Sequence, residues 1–197
     1  MIKEIENRRS IRKYTQGTIS EQDIREIIEA AIKAPSAKNR QPWKFMIIQN
    51  KAKKQMLDAF RKGIQREENG AALLPDSRRH IASAKYTVDI MEQTPVIIFV
   101  INTDGPGIFA PRSQEEQVYE LANIQSISAA IQNILLAAQE KGLGSLWICD
   151  IFFAYKELCE WMDTEGELIA AVALGSPAEN PSARPRKKFD DVVLWRK

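Results

Sequence analysis

The longest helical pattern in the chain places the narrowest limits on its fold. It predicts a helix over residues 119–141 that ends at Gly142, since glycine commonly terminates helices. At about 1.5 Å per residue this helix would be roughly 34 Å long, enough to cross a whole domain. Its apolar residues are Leu121, Ile124, Ile127, Ile131, Ile134, Leu135 and Ala138, in a stripe that alanines widen. A stripe this broad predicts contacts on more than one side, so we expect a central core helix or a dimer helix.

Short β-branched runs predict strands before and after this helix. Residues 96–101 form an uninterrupted apolar run, typical of a strand buried on both faces. Residues 44–49, 146–148 and 168–174 also predict strands, each followed by polar or glycine residues. The chain therefore alternates between strands and helices.

Two shorter helices have clear signals. Ser20 followed by acidic residues resembles a capped helix start, and apolar residues then recur at helical spacing up to Ala31. This helix should stop before Pro35, because a residue preceding proline resists the helical conformation. A second helix is predicted over residues 155–162.

Two segments lack a regular pattern. Residues 61–79 are charged and contain two glycines and a proline, so they predict a lid or a mobile loop. Residues 178–188 are rich in proline and basic side chains. Proline does not fit inside a helix or a central strand, so we expect the tail of about 178–197 to be extended and to wrap over the surface.

Composition excludes several classes of protein. A chain of 197 residues with 44% hydrophobic content predicts a single domain over residues 1–197. A net charge of +2 gives no field that favours nucleic acid. Cys149, Cys159 and the single His80 have no metal-ligand spacing, so no metal site is expected. The start of the chain lacks a signal-peptide pattern, and the longest aliphatic run is far shorter than the ~20 residues of a membrane span. We expect a cytoplasmic protein without a membrane partner.

Two arginine clusters lie near opposite ends of the chain. They are Arg8-Arg9-Ser10-Ile11-Arg12 and Arg184-Pro185-Arg186. A guanidinium group offers donors in a fixed fork that matches phosphate oxygens, and alternate residues of an extended chain point to one side. The pattern indicates one phosphate bound from both clusters. Solvated surface charge is the alternative.

A segment rich in polar groups, residues 34–43, connects the predicted helix ending at Ala31 to a strand. It carries hydroxyl, amide and aromatic side chains on a backbone that two prolines restrict. Taken alone, it is a rigid connection that brings Trp43 into the core.

Four motifs together give a more specific signal. They are Arg8-Arg9-Ser10-Ile11-Arg12, residues 35–43, Gly142-Leu143-Gly144-Ser145-Leu146-Trp147, and Ala173-Leu174-Gly175-Ser176-Pro177 followed by Arg184-Pro185-Arg186. In this order they resemble the nitroreductase family of flavin enzymes, over nearly the whole chain. The resemblance implies an α+β fold, with a central mixed, mainly antiparallel β-sheet flanked by helices. It also implies a homodimer with a long central interface helix and FMN in two clefts at the interface.

The resemblance implies FMN-binding residues from separated parts of the chain. The phosphate and the adjoining ribityl chain would be bound by Arg8, Arg9, Ser10, Arg12, Arg184 and Arg186. The ring would lie beside Gly144, Ser145 and Leu146, and the loop of the partner subunit would contribute Pro35, Ser36, Ala37 and Asn39. No catalytic side chain is implied, because the flavin carries the hydride itself.

The chain departs from the usual family pattern in two places. Residues 149–153 stand where many relatives have glycines, so we expect either a more crowded ring or a differently shaped turn. Cys149 there is either a redox-active thiol or a small buried hydrophobe. Lys38 and Arg40 add charge to a loop that often carries smaller groups. They either favour an acidic substrate or NADPH, or face solvent.

The implied activity is hydride transfer from NADH or NADPH through flavin N5 to an acceptor such as a nitroaromatic, quinone or enone, in a ping-pong order. A specialised reaction of the superfamily, reductive dehalogenation or flavin fragmentation, is the enzymatic alternative. A non-catalytic flavin-binding or storage protein, or a plain anion-binding domain, are alternatives from other classes.

Overall fold

A computed structural model describes residues 1–196, so Lys197, the last residue of the expected domain and tail, lies outside the described residues. Within residues 1–196 the helices are α1 (Lys3–Asn7), α2 (Glu21–Ala31), α3 (Asn50–Glu68), α4 (Ile81–Gln93), α5 (Gln114–Glu140) and α6 (Tyr155–Met162). The strands are β1 (Trp43–Ile48), β2 (Val96–Asn102), β3 (Gly144–Ile148) and β4 (Glu167–Gly175). Short 3-10 turns cover Ala37–Asn39, Pro75–His80, Asp150–Ala154 and Phe189–Asp191.

The strands form a sheet in the order β1-β2-β4-β3, and each neighbouring pair is antiparallel. A parallel bridge between Ser10 and Ser145 adds the start of the chain to the edge at β3, which makes the sheet mixed. The predicted α+β class with a mainly antiparallel sheet is therefore confirmed.

Strand β2 lies at the centre of the core, and all of its residues are buried. Ile97 and Phe99 belong to a cluster with residues of α3, α4 and α6. Ile98 and Val100 belong to a second cluster with residues of α2 and α5. Because side chains alternate along a strand, one apolar run stabilises helix layers on both faces of the sheet. Each such side chain contributes about 1.5–3 kcal/mol when fully buried.

Helix α2 begins and ends as the sequence predicts. The Oγ of Ser20 accepts a hydrogen bond from the backbone N–H of Asp23 at 3.0 Å, which satisfies one of the free donors of the first turn. The helix ends at Ala31, before Pro35. Helix α6 also has its predicted bounds.

Helix α5 begins five residues earlier than predicted, at Gln114. Ser113 and Glu116 form a capping box, in which the Ser113 N–H donates to Glu116 Oε2 at 2.7 Å and the Glu116 N–H donates to Ser113 Oγ at 3.2 Å. By length and composition α5 could cross a membrane, but half of its most apolar stretch is buried in the fold. This burial is expected of a core helix.

The loop expected over residues 61–79 is wrong for most of the stretch, whereas a lid role stays a prediction. Helix α3 continues to Glu68, and much of the remainder forms the 3-10 turn Pro75–His80. Arg66 pairs with Glu157 of α6 and with Glu67, each at 2.6 Å. The buried carboxylate of Glu67 accepts the backbone N–H of Leu73 at 2.8 Å. Arg66 and Glu67 are thus paired inside the fold, whereas the other charged side chains of this stretch are exposed.

A buried carboxylate stands at the start of β4. Glu167 is 2% exposed, and its Oε1 accepts from Arg112 Nη2 at 3.1 Å. Arg112 also donates to the carbonyl of Gly107 at 2.9 Å, which ties the β2–α5 connection to the sheet. Burial first, and then the hydrogen bond and charge of Glu120, raise the pKa of Glu167 to about 7, against the opposing effect of Arg112.

We expect Glu167→Gln to remove a pH dependence of stability. Because the folded-state pKa is raised, the folded protein keeps this proton where the unfolded chain has lost it. Wild-type stability should therefore fall as the pH rises from about 4.5 to about 7. Glutamine has no proton to lose, and its carbonyl can still accept from Arg112. As the pH rises across this range, the free energy of unfolding measured in urea should increase for Glu167→Gln relative to the wild type.

Glu165→Gln, at an exposed position two residues away, is the matched control and should follow the wild-type profile. Parallel pH profiles for the wild type and Glu167→Gln would contradict the assignment.

Candidate functional site

The segment that follows α1 pairs with the exposed edge of β3. The Ile11 N–H donates to the carbonyl of Ser145 at 3.0 Å, beside the parallel bridge from Ser10. An unpaired strand edge leaves free donors and acceptors, and this segment satisfies part of that edge. The pairing places the first arginine cluster next to β3.

Two glycines make room for this segment. Gly144 and Gly175 lie opposite each other in the β3–β4 pair. A Cβ at Gly144 would lie 2.9 Å from Ile11 Cγ2, and a Cβ at Gly175 would lie 2.7 Å from Tyr14 Cδ1. The Tyr14 hydroxyl donates to the Ile11 carbonyl at 2.8 Å. Burial raises the pKa of Tyr14, so the phenol keeps the proton that it donates.

Backbone pairing also joins the start of the chain to the segment after β4. The Thr15 N–H donates to the carbonyl of Ser176, and the Ala178 N–H donates to the carbonyl of Lys13, each at 2.9 Å. Between them, Tyr14 and Pro177 form an antiparallel bridge. We call this pairing of residues 13–15 with residues 176–178 the terminal clasp.

A carboxylate reinforces the terminal clasp. Glu179 Oε1 accepts from the backbone N–H groups of Arg12 at 2.5 Å and Lys13 at 3.2 Å. A carboxylate that accepts backbone donors makes stronger hydrogen bonds than a neutral group does. Glu179 therefore fixes the tail where residues 181–186 can follow the first arginine cluster.

The two arginine clusters meet in one cleft of about 660 Å³, which we call the arginine cleft. Its lining includes all six residues expected at a phosphate: Arg8, Arg9, Ser10, Arg12, Arg184 and Arg186. Other lining residues come from the start of the chain and from positions 181–183. The structure thus joins what the sequence places at opposite ends.

The positive charges of this cleft lack anionic partners within residues 1–196. Glu6 also lines the cleft, but no salt bridge of the described chain involves any of these arginines. Arg9 instead donates to the Glu6 carbonyl at 2.8 Å. Burial, followed by the charges of Arg186 and Arg9, lowers the pKa of Arg8. Such mutual repulsion favours a bound anion.

A second cleft of about 260 Å³ lies at the end of β3, and we call it the β3 cleft. Arg12 lines both clefts. The other lining residues of the β3 cleft are Ser83, Tyr86, Thr87, Ile90, Leu146, Trp147, Ile148, Cys149 and Asp150. An anionic group at the arginines and a second group at β3 could therefore belong to one elongated ligand.

Asp150 and Cys149 are the polar residues at the end of β3. Asp150 Oδ2 accepts from Thr87 Oγ1 at 2.9 Å and from Ser83 Oγ at 3.1 Å. Cys149 is exposed, so its interpretation as a small buried hydrophobe is wrong. Desolvation and then the charge of Asp150 raise the pKa of the Cys149 thiol, which disfavours the reactive thiolate.

Gly144 and Ser145 are buried, and neither lines either cleft. Their observed contacts position the N-terminal segment. Leu146 does line the β3 cleft, although little of its surface is exposed. Direct cofactor contact by Gly144 and Ser145 stays a prediction.

The residues expected from the partner subunit lie away from both clefts of their own chain. Pro35, Ser36, Ala37 and Asn39 form part of a loop on α5, where the Ala37 N–H donates to Ser126 Oγ at 3.1 Å. The expected contact of this loop with a neighbouring subunit stays a prediction.

The same loop has an unusual backbone. Lys38, Asn39 and Gln41 have φ values of 53°, 55° and 52°, in the left-handed region that disfavours most side chains. The Gln41 N–H donates to Ser36 Oγ at 3.0 Å, which closes the loop on itself. Such strain persists only where the surrounding structure imposes it, and it often marks functional segments.

The charges of this loop pack on α5. Arg40 donates to Asn123 Oδ1 at 2.8 Å. Arg40 and Lys38 also lie over the ring of Tyr119, at 5.1 and 5.8 Å from its centroid. Both charges therefore help to fix the loop, a role that neither sequence-based interpretation included.

Sequence reasoning missed Tyr14, Glu179, Ser83 and Thr87. The spacing of Ser83 and Thr87 places both hydroxyls on one helix face. This spacing is the sequence signal that could have indicated a shared role for them. Glu179 is an isolated acid in a basic tail. Its role depends on a contact with residues 12 and 13 that no local pattern encodes.

The fold and the two clefts define a class: α+β proteins that can bind an elongated ligand with an anionic end. Comparison with known proteins gives the family. The nitroreductase family model matches residues 5–176, so the chain belongs to the nitroreductase family and is an oxidoreductase. The match ends before Arg184 and Arg186.

Relatives and solved structures agree with this assignment. A protein of Archaeoglobus fulgidus assigned as an NADH dehydrogenase/NAD(P)H nitroreductase is 32% identical over 148 residues, which cover 75% of this chain and 66% of that relative. An NADH dehydrogenase of Thermus thermophilus is 29% identical over 96% of this chain and 92% of its own. A structure from Desulfovibrio desulfuricans, assigned as a nitroreductase in complex with FMN, is 28% identical. Its TM-score is 0.74, with 100% of this chain and 96% of that chain covered.

The arginine cleft should bind inorganic phosphate. Because an anion relieves repulsion that only the folded state has, phosphate should raise the Tm of the wild type at matched ionic strength. Arg186→Ala should lose much of this gain. It should lose little stability in phosphate-free chloride buffer, because it also removes a charge that repels Arg8.

Arg25→Ala, on the exposed face of α2, is the control and should keep the full phosphate effect. Equal phosphate stabilisation of wild type and Arg186→Ala would show that the cleft is not the anion site.

Proposed function

We propose that this member of the nitroreductase family is an FMN-dependent oxidoreductase that uses NADH or NADPH. The observation that carries the proposal is the arginine cleft, in which two clusters from opposite ends of the chain meet without carboxylate partners in the described chain. This donor set fits a phosphate monoester, because guanidinium groups and the Ser10 hydroxyl can donate to its oxygens.

Different residues would bind different parts of the cofactor. Arg8, Arg12 and Arg186 would bind the phosphate, and Ser10 the adjoining ribityl chain. Leu146 and Trp147, which line the β3 cleft, would contact the ring and exclude water from it. When bound, FMN supplies hydride transfer between a nicotinamide and an acceptor such as a nitroaromatic, quinone or enone, in a ping-pong order.

We also propose a homodimer built on α5. Val118 and Leu121 on this helix are 67% and 59% exposed in the single chain, although they are apolar. The strained loop of residues 35–41 contacts the same helix through Ser126, Asn123 and Tyr119. Pairing through α5 would carry this loop toward the clefts of the partner.

The cellular setting completes the proposal. We propose a single domain over residues 1–197 in the cytoplasm, with no nucleic-acid or membrane partner. Cys149 and Cys159 are free thiols, as is usual in a reducing compartment.

Spectroscopy of the purified protein tests the function. We expect a yellow protein with a flavin spectrum that NADH or NADPH bleaches without oxygen and that an electron acceptor restores. A flavin that neither nucleotide reduces would favour the storage protein. Release of halide or breakdown of the flavin would favour the specialised reactions. A colourless protein that FMN cannot reconstitute would contradict the proposal.

Arg12→Ala and Arg186→Ala should each weaken FMN retention. Each variant removes a charge-assisted contact worth about 1.5–3 kcal/mol, which corresponds to a roughly 10- to 150-fold higher Kd. Quenching of flavin fluorescence on titration measures this Kd. Arg25→Ala should retain wild-type affinity, whereas full flavin content in both cleft variants would contradict the phosphate assignment.

Leu121→Glu should weaken the dimer. A carboxylate in the centre of an apolar interface would be desolvated without a partner, so a larger monomer fraction is expected in light scattering after size exclusion. FMN affinity should fall with it, if the loop of the partner completes the site. Leu73→Glu, a partly exposed leucine beyond α3, is the control. An unchanged mass for Leu121→Glu would place the interface elsewhere.

A further inference from the structure

The β3 cleft contains one acidic side chain among its lining residues, Asp150. The remaining lining residues are apolar, aromatic, hydroxyl or thiol groups, apart from Arg12, which also lines the arginine cleft. The combined site therefore has positive charge where the phosphate would lie and one negative charge where the ring would lie.

The position of Asp150 is fixed from a second element. Ser83 and Thr87 are one helical turn apart on α4, and both donate to the same oxygen, Oδ2. Thr87 is buried, so this contact restrains the carboxylate against a rigid part of the core. Within residues 1–196, no group donates a hydrogen bond to Oδ1 of Asp150, which leaves this oxygen available to a ligand.

The charge of Asp150 already affects its neighbour in the cleft. It contributes to the raised pKa of the Cys149 thiol, after desolvation. The same charge would act on any group whose negative charge increases in the β3 cleft, because interactions between charges are poorly screened in a partly desolvated site.

We propose that Asp150 is a positioning and potential-setting residue, whose fixed carboxylate makes the site bind reduced FMN less tightly than it otherwise would. This inference rests on the proposed function, and it concerns the electrostatics of the ring end of the site. Reduction adds electron density to the ring, and an adjacent carboxylate opposes this change while the oxidised ring is less affected. The consequence is a lower reduction potential, and hence a more strongly reducing enzyme.

The variant Asp150→Asn tests the charge while keeping the shape and an acceptor for Ser83 and Thr87. In the reconstituted holoprotein we expect the affinity for reduced FMN to rise about tenfold relative to that for oxidised FMN. For a two-electron couple this corresponds to a midpoint potential about 30 mV more positive. Anaerobic titration against a reference dye measures it, and fluorescence titration measures the Kd for oxidised FMN.

Asp89→Asn is the matched control, because Asp89 is an exposed acid on the same helix that does not line the β3 cleft. Its potential should equal that of the wild type. An Asp150→Asn protein that binds FMN with an unchanged or more negative potential would overturn the inference and leave the proposed function intact. A wild type that binds no FMN would overturn both.

A double variant, Ser83→Ala with Thr87→Val, covers the case in which Asp150→Asn does not fold or loses FMN. It keeps the carboxylate but removes both donors that restrain it, so the charge can turn toward water. We expect a positive shift that is smaller than tenfold in relative affinity. An unchanged potential in this variant, when Asp150→Asn cannot be measured, would also overturn the inference.

Discussion

The terminal clasp is the interaction on which the site depends. Its backbone hydrogen bonds join residues 13–15 to residues 176–178, and Glu179 adds two more from the tail. The glycines at 144 and 175 allow residues 11–14 to lie against β3 and β4, because a side chain there would collide with Ile11 or Tyr14. The arginine cleft therefore requires the clasp, which brings the two arginine clusters together.

The two ends of the site carry opposite charges. Repulsion among Arg8, Arg9 and Arg186 makes the empty cleft unfavourable and favours an anion. At the far end, Asp150 adds a negative charge to a lining of apolar, aromatic, hydroxyl and thiol groups. A cofactor with a phosphate at one end and a ring at the other would relieve the repulsion among the arginines through its phosphate. At the ring end, the charge of Asp150 can adjust the reduction potential of this cofactor.

Local patterns were sufficient for the elements whose signals lie within one turn or strand. The capped start at Ser20 and the buried run of β2 are such cases. The helical character of residues 61–68 escaped detection because its charges are satisfied by contacts distant in sequence, as in the Arg66–Glu157 pair. The arginine motifs were visible, but the hydrogen bonds between Asp150 and α4 join residues more than 60 positions apart.

The order of the site along the chain has a consequence for how the protein is made. Arg184 and Arg186 follow all four described strands, so the ribosome releases them after every other residue of the arginine cleft. Because a domain folds as a unit, the arginine cleft is complete only when this last segment has paired with the start of the chain. Binding of the cofactor by both arginine clusters therefore follows the synthesis of residues 184–186, and a cell short of flavin would accumulate finished but unloaded chains.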